Sequence, residues 1–93
     1  RIQDIVSKEM GMPADLLRSK TRKKHVVEVR QIAMYLSTEL TDLTLKAIGL
    51  QFGGRDHSTI IHGRETVSEK MKANNEYNKM VEGIRQKVEL ASL

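Results

Sequence analysis

Three observations predict an all-α fold of about six helices that carries a helix-turn-helix. No segment alternates apolar and polar residues with period two, and the apolar residues recur at helical spacings of three and four. Two adjacent glycines, Gly53-Gly54, break that pattern between the short apolar segment Leu45–Phe52 and a segment opening Arg55-Asp56-His57-Ser58-Thr59. A glycine turn between two helices is the form of a helix-turn-helix. Polar groups in the first turn of its second helix are placed to meet base edges. The third observation is a one-signed run about thirty residues upstream, Arg18-Ser19-Lys20-Thr21-Arg22-Lys23-Lys24.

The elements follow in order. Ile2, Ile5, Val6 and Met10 form a first stripe, which Gly11 ends. Pro13 is suited to open a short second helix at its first position, with Leu16 and Leu17 facing inward. Arg18 to His25 holds no apolar residue, so this stretch reads as an exposed loop or as frayed helix ends around one. Val29, Ala33, Leu36 and Leu40 make the longest stripe of the first half and predict the central helix. Thr44 is an N-cap candidate for Leu45 to Leu50. After the Phe52-Gly53-Gly54 break, the next helix begins at Arg55 or Asp56 and buries Ile60, Val67 and Met71. Asn74 and Asn75 separate it from a last helix with the stripe Tyr77, Val81, Ile84, Val88 and Ala91.

Ninety-three residues allow one domain, spanning 1–93, with a thin core. The chain begins with Arg, so it reads as a fragment of a longer protein. Without Cys there are no disulfides or thiolate metal sites. The longest apolar run, Ile32 to Leu36, is far too short to cross a bilayer. The net charge of +4 is modest but unevenly placed. Half of the ten Lys and Arg in residues 1–63 fall between Arg18 and Lys24, with no acid between Asp15 and Glu28. A concentrated basic patch is the footprint of a polyanion partner. Only Phe52, Tyr35 and Tyr77 are aromatic, which argues against single-strand binding by base stacking.

Charge runs are usually solvated loops. This one sits just before Arg30 and Gln31 on the central helix, and each cation that neutralises a phosphate releases counterions. Arg22 stands out, because an arm beside a helix-turn-helix can lay an arginine in a narrow A·T-rich minor groove. Asp56 reads first as an N-cap, and second as an acceptor from cytosine N4. His57 is a surface histidine or a donor to a base. Ser58 can touch a thymine methyl or a base edge, and Thr59 a phosphate. His57 and His62 lie about 500° apart around a helix, on separate faces, so no metal site is expected. Adjacent Asp56 and His57 do not converge on one atom, and no nucleophile or oxyanion site accompanies them, so no enzyme is expected. Gly63 inside the second helix costs roughly 1 kcal/mol against Ala. Close approach of a helix or of a phosphate would explain it, and so would simple tolerance.

Phe52-Gly53-Gly54-Arg55-Asp56-His57-Ser58-Thr59-Ile60-Ile61-His62 resembles the signature of the C-terminal DNA-binding domain of bacterial replication initiators, the DnaA family. Arg30-Gln31-Ile32-Ala33-Met34-Tyr35-Leu36, Leu45-Lys46-Ala47-Ile48-Gly49 and Asp15-Leu16-Leu17 with the basic loop match at the right distances. Residues after Lys72 match only in helical character.

The fold this resemblance implies is all-α and Trp-repressor-like. The implied partner is double-stranded DNA, at the short asymmetric replication-origin box of the type TTATNCACA. By position, Arg22 would enter the minor groove at the A·T-rich end, and Asp56, His57 and Ser58 would read bases in the major groove. Lys20, Lys24, Arg30, Gln31, Arg55, Thr59 and His62 would contact phosphates or the backbone, with Lys23, Leu45 and Lys46 as further candidates. ATP binding and oligomerisation belong to the family's ATPase region, which is absent. This domain would need no cofactor and would bind as a monomer, while the parent protein assembles on the origin. Its place would be cytoplasmic, on the nucleoid. Three positions depart from the family's common pattern. Glu28 stands where a basic residue is frequent, Ser58 where Thr is frequent, and Lys46 where proline or a small residue is frequent. Two rivals remain: a helix-turn-helix transcription regulator reading another operator, and a helical protein-docking module using Tyr77, Met80, Val81 and Ile84.

Overall fold

The computed structural model describes residues 1–92, and those residues form six α-helices and no strand. They are α1 (Ile2–Glu9), α2 (Asp15–Arg18), α3 (Lys24–Leu40), α4 (Leu45–Gln51), α5 (His57–Ala73) and α6 (Asn75–Ala91). The all-α expectation therefore holds, and α4, its turn and α5 form the helix-turn-helix.

The α3 helix is the axle of the fold. It touches each of the other five helices. Its middle, Ile32 to Ser37, is buried on every side, so the stripe read from sequence is only part of its apolar surface. One cluster joins Val6 of α1, Leu17 of α2, Ile48 of α4, Ile60 and Val67 of α5, and Val81, Ile84 and Val88 of α6 to α3. Full burial of each such side chain is worth about 1.5–3 kcal/mol. Leu17 explains why a helix of one turn persists, because its side chain is wholly enclosed.

The helix ends follow local chemistry. Met12 N–H reaches Ser7 O and Gly11 N–H reaches Lys8 O, the paired bonds that close a helix on a glycine. Thr44 Oγ1 accepts from Ala47 N–H at 3.0 Å, and Asn74 Oδ1 accepts from Tyr77 N–H at 2.9 Å, so both residues cap the helices they precede.

Two expectations need correction. Pro13 does not occupy the first position of α2; it lies two residues ahead, where its carbonyl accepts from Leu16 N–H. For Arg18 to His25 the structure takes the second alternative, a loop between helix ends, with Lys24 and His25 as an exposed first turn of α3 in front of buried Val26. Ala91 is exposed, because the α6 stripe turns away from the core after Val88. The rival docking face is also spent internally: Val81 and Ile84 are buried, and Tyr77 and Met80 pack against the core.

Candidate nucleic-acid interface

Between α2 and α3 the basic run becomes an ordered arm. Ser19 Oγ donates to Leu16 O and accepts from Thr21 N–H, and Thr21 Oγ1 accepts from Lys23 N–H. These short turns give the loop a fixed path. Lys20, Arg22 and Lys23 project from it and Lys24 from the first position of α3, all exposed. Among the described residues none of the four makes a salt bridge. Arg18 differs: its guanidinium meets Asp15 at 2.8 Å and Gln3 at 3.0 Å, so it is not part of the free patch. Lys23 sits at the N-cap of α3 without a side-chain cap, so the positive end of a 17-residue helix opens into this cluster of cations.

Two arginines hold the arm from behind. Arg30 is only 5% exposed. Its guanidinium donates to the carbonyls of Leu17 (3.0 Å), Leu16 (3.3 Å), Ser19 (3.1 Å) and Thr21 (3.2 Å). Arg55, half-buried, donates to Ser19 O at 2.7 Å and to Phe52 O. Burial lowers the pKa of both groups, and the neighbouring Arg55 charge lowers that of Arg30 further. Arg30 and Arg55, expected as phosphate or backbone-side contacts, direct Arg30 Nε and Nη2 and both Arg55 Nη groups to carbonyls of α2, the arm and the turn.

The turn itself depends on glycine. Gly53 and Gly54 adopt φ of 80° and 82°, which L side chains rarely take. Gly49 O accepts from the N–H groups of Phe52, Gly54 and Arg55, so the chain reverses around one carbonyl. A Cβ on Gly49 would lie 2.0 Å from Arg55 O, which makes Gly49 a third required glycine. The reversal delivers Asp56 in extended conformation at the N-cap of α5. Asp56 Oδ1 accepts from Ser58 Oγ (2.8 Å), Thr59 N–H (3.1 Å) and Thr59 Oγ1 (3.2 Å). Those three bonds, led by the one from Ser58, hold its pKa below the ordinary carboxylate value. Oδ2 makes no hydrogen bond within the described residues and remains open to a donor from outside. His57, Ser58, Thr59 and His62 are exposed on α5.

The remaining candidates are placed as follows. Gln31 is half-buried, with its stem where α3 crosses α5. A Cβ on Gly63 would lie 2.9 Å from Met34 Sδ, so approach of another helix accounts for that glycine. Leu45 and Lys46 begin α4, Leu45 half-buried and Lys46 exposed. No group of three or more His, Cys, Asp or Glu that could hold a metal occurs among the described residues. No helix of the described residues is long and apolar enough to cross a membrane.

The family model described as bacterial dnaA protein helix-turn-helix matches residues 1–67, which include the arm, the turn and the exposed first turn of α5. The chain belongs to the bacterial DnaA helix-turn-helix family. It is 45% identical over 92 residues to the chromosomal replication initiator protein DnaA of Chlorobaculum tepidum, covering 99% of this chain. It is 43% identical over 84 residues (90% of this chain) to DnaA of Levilactobacillus brevis, and 39% identical over 89 residues (96%) to DnaA of Flavobacterium psychrophilum. The chain spans 19% of the length of each of these relatives.

Against the DnaA pattern, Glu28 is turned away from the arm. It pairs with Lys70 of α5 at 3.6 Å, and Lys70 also lies 5.6 Å from the Tyr77 ring centroid. Sequence reasoning missed the work of Ser19 and Thr21, although their turn chemistry gives a signal. It also missed the targets of Arg30 and Arg55. Those targets are backbone carbonyls, which no pattern of side chains reveals.

Proposed function

We propose that this domain binds double-stranded DNA in a sequence-specific way, at the short asymmetric replication-origin box of the type TTATNCACA, in initiation and regulation of chromosome replication. The observation that carries the reading is the junction at Ser19 O. There the arm bearing four unpaired cations and the segment leading into α5 are tied by one guanidinium at 2.7 Å. Arm and helix thus form one surface with two chemistries. Lys20, Lys23 and Lys24 suit phosphates, and the exposed α3 N-terminus adds to their field. Arg22 suits a narrow A·T-rich minor groove. Asp56 through Oδ2, with His57 and Ser58, suits base edges in the major groove, while Thr59 and His62 suit the flanking backbone. Gln31, Leu45 and Lys46 lie at the edge of this surface. Arg30 and Arg55 act indirectly, by holding it.

In this reading the domain supplies an address and no chemistry, works as a monomer on an asymmetric site, and needs no cofactor. ATP use and assembly on the origin belong to other parts of the parent protein, which acts on the nucleoid in the cytoplasm. A regulator reading a different operator would keep the same surface and differ only in box preference.

Paired variants test the assignment. Arg22→Ala should weaken binding most on boxes with an intact A·T-rich end, while Lys23→Ala should weaken it mildly and evenly on every duplex. Titration against boxes whose A·T end is replaced separates the two. Loss of the same factor on all duplexes by Arg22→Ala would remove Arg22 from the minor groove.

A further inference from the structure

We propose that Arg30 and Arg55 are positioning residues that fix the register of the arm against α5, so that the domain measures the spacing between the two ends of its DNA site. The inference rests on the DNA-binding reading above and deepens it.

Both guanidiniums converge on one atom. Ser19 O accepts from Arg30 Nη2 at 3.1 Å and from Arg55 Nη2 at 2.7 Å. Arg30 further holds the carbonyls of Leu16, Leu17 and Thr21, so it grips the C-terminal end of α2 and the root of the arm together. Arg55 also holds Phe52 O, so it grips the arm and the turn before α5 together. A planar fork of five N–H donors can bridge separate acceptors in this way, whereas a lysine ammonium is a point charge on a flexible stem. A backbone contact reinforces the clamp: a Cβ on Gly53 would lie 2.4 Å from Arg18 O, so the turn is pressed against the end of α2.

Neither arginine makes a salt bridge among the described residues. Two adjacent, partly desolvated cations with only carbonyl partners are a costly way to stabilise a loop. The geometry they create is specific all the same. It ties the root of the arm that carries Arg22 to the turn that leads into Asp56 and His57. A loose arm would adjust to boxes of different length, and a clamped arm would not.

The test compares four duplexes: the box, the box lengthened by one base pair between its A·T-rich end and its C·G-containing end, the box with the A·T end replaced, and a scrambled duplex. Wild type should lose about tenfold in affinity on lengthening, close to its loss when the A·T end is replaced. Arg55→Lys keeps the charge and lies at a half-exposed site. It should bind the box more weakly, and its penalty for lengthening should fall below about threefold. Arg30→Lys should shift the same ratio in the same direction. A ratio between duplexes cancels any shared loss of folded protein, so a merely structural role for either arginine would leave it unchanged. If wild type prefers the box to the scrambled duplex but Arg55→Lys and Arg30→Lys keep the full lengthening penalty, the inference is overturned alone. Indifference of wild type to lengthening overturns it equally. Equal affinity of wild type for box and scrambled duplex overturns the DNA-box reading beneath it.

Discussion

The two carboxylate oxygens of Asp56 are unequal. Oδ1 closes the N-terminus of α5 through Ser58 and Thr59, whereas Oδ2 makes no hydrogen bond among the described residues and is the oxygen that the proposed function assigns to a donor on DNA. Asp56→Ala should lower the thermal midpoint, by a cap loss of roughly 0.5–2 kcal/mol. It should also relax preference at one C·G pair, where a base contact is worth about 1–3 kcal/mol. Asp56→Asn keeps a capping oxygen and should lose mainly the base preference. Thermal midpoint and base preference, measured together, divide the roles; a lower midpoint with unchanged preference would leave Asp56 as a cap only. Because the folded pKa of Asp56 is depressed, its stabilising contribution is present above the ordinary carboxylate pKa. That contribution fades as pH falls through the lower folded value. The stability gap between wild type and Asp56→Asn should therefore close on acidification, and a gap that widens would contradict the bonding at Oδ1. Both readings of Asp56 were legible from its residue type at a helix start. The separation by oxygen was not, because it depends on the rotamer that Ser58 and Thr59 select.

Gly49, against the turn, and Gly63, where α5 crosses α3, meet different neighbours. At Gly49 an added methyl meets the Arg55 backbone oxygen at 2.0 Å, and at Gly63 it meets the side-chain sulfur of buried Met34 at 2.9 Å. Gly49→Ala should therefore destabilise by at least the roughly 1–3 kcal/mol of an overpacked site. Gly63→Ala should cost less, since roughly 1 kcal/mol of helix propensity offsets part of the shift that the buried Met34 side chain must make. Denaturant midpoints check the pair, and equal losses would mean that the Arg55 carbonyl is not held against Gly49. Further from the interface, burial, and then the Glu28 carboxylate, push the Tyr77 phenol up to about 12. Unfolded tyrosine ionises near pH 10, so the unfolded state sheds that proton first and stability falls as pH rises from about 10 to 12. Tyr77→Phe should remove that part of the alkaline decline. At this scale the sequence shows helices well, because stripes, caps and paired glycines are local signals. It misplaces Pro13 and Ala91, because where a helix starts and what its last turn touches are settled by packing. Gly49 was invisible as a requirement, since the oxygen it approaches is brought close only by the turn.

Across the whole molecule the fold serves to set a charged arm beside a helix N-terminus. The α3 helix does this by contacting every other helix and sending Arg30 back into the root of the arm. The basic run and the polar start of α5 were readable as separate features about thirty residues apart. Their union at Ser19 O was not, since main-chain acceptors leave no trace in composition or spacing. With Arg18 paired to Asp15, four free cations remain on the arm, fewer than the run suggests. The salt dependence of binding should reflect about that number of phosphate contacts plus few others, each adding a slope of about −0.9. The most direct measurement is the affinity of this chain for a duplex bearing one copy of the box and for a scrambled duplex, at a low and a physiological salt concentration. One chain should bind each box, the box should be preferred at both salts, and added salt should weaken the scrambled complex until preference dominates. Equal affinity for the two duplexes at physiological salt, or a strict need for two copies of the box, would contradict this picture of a monomeric, sequence-reading domain.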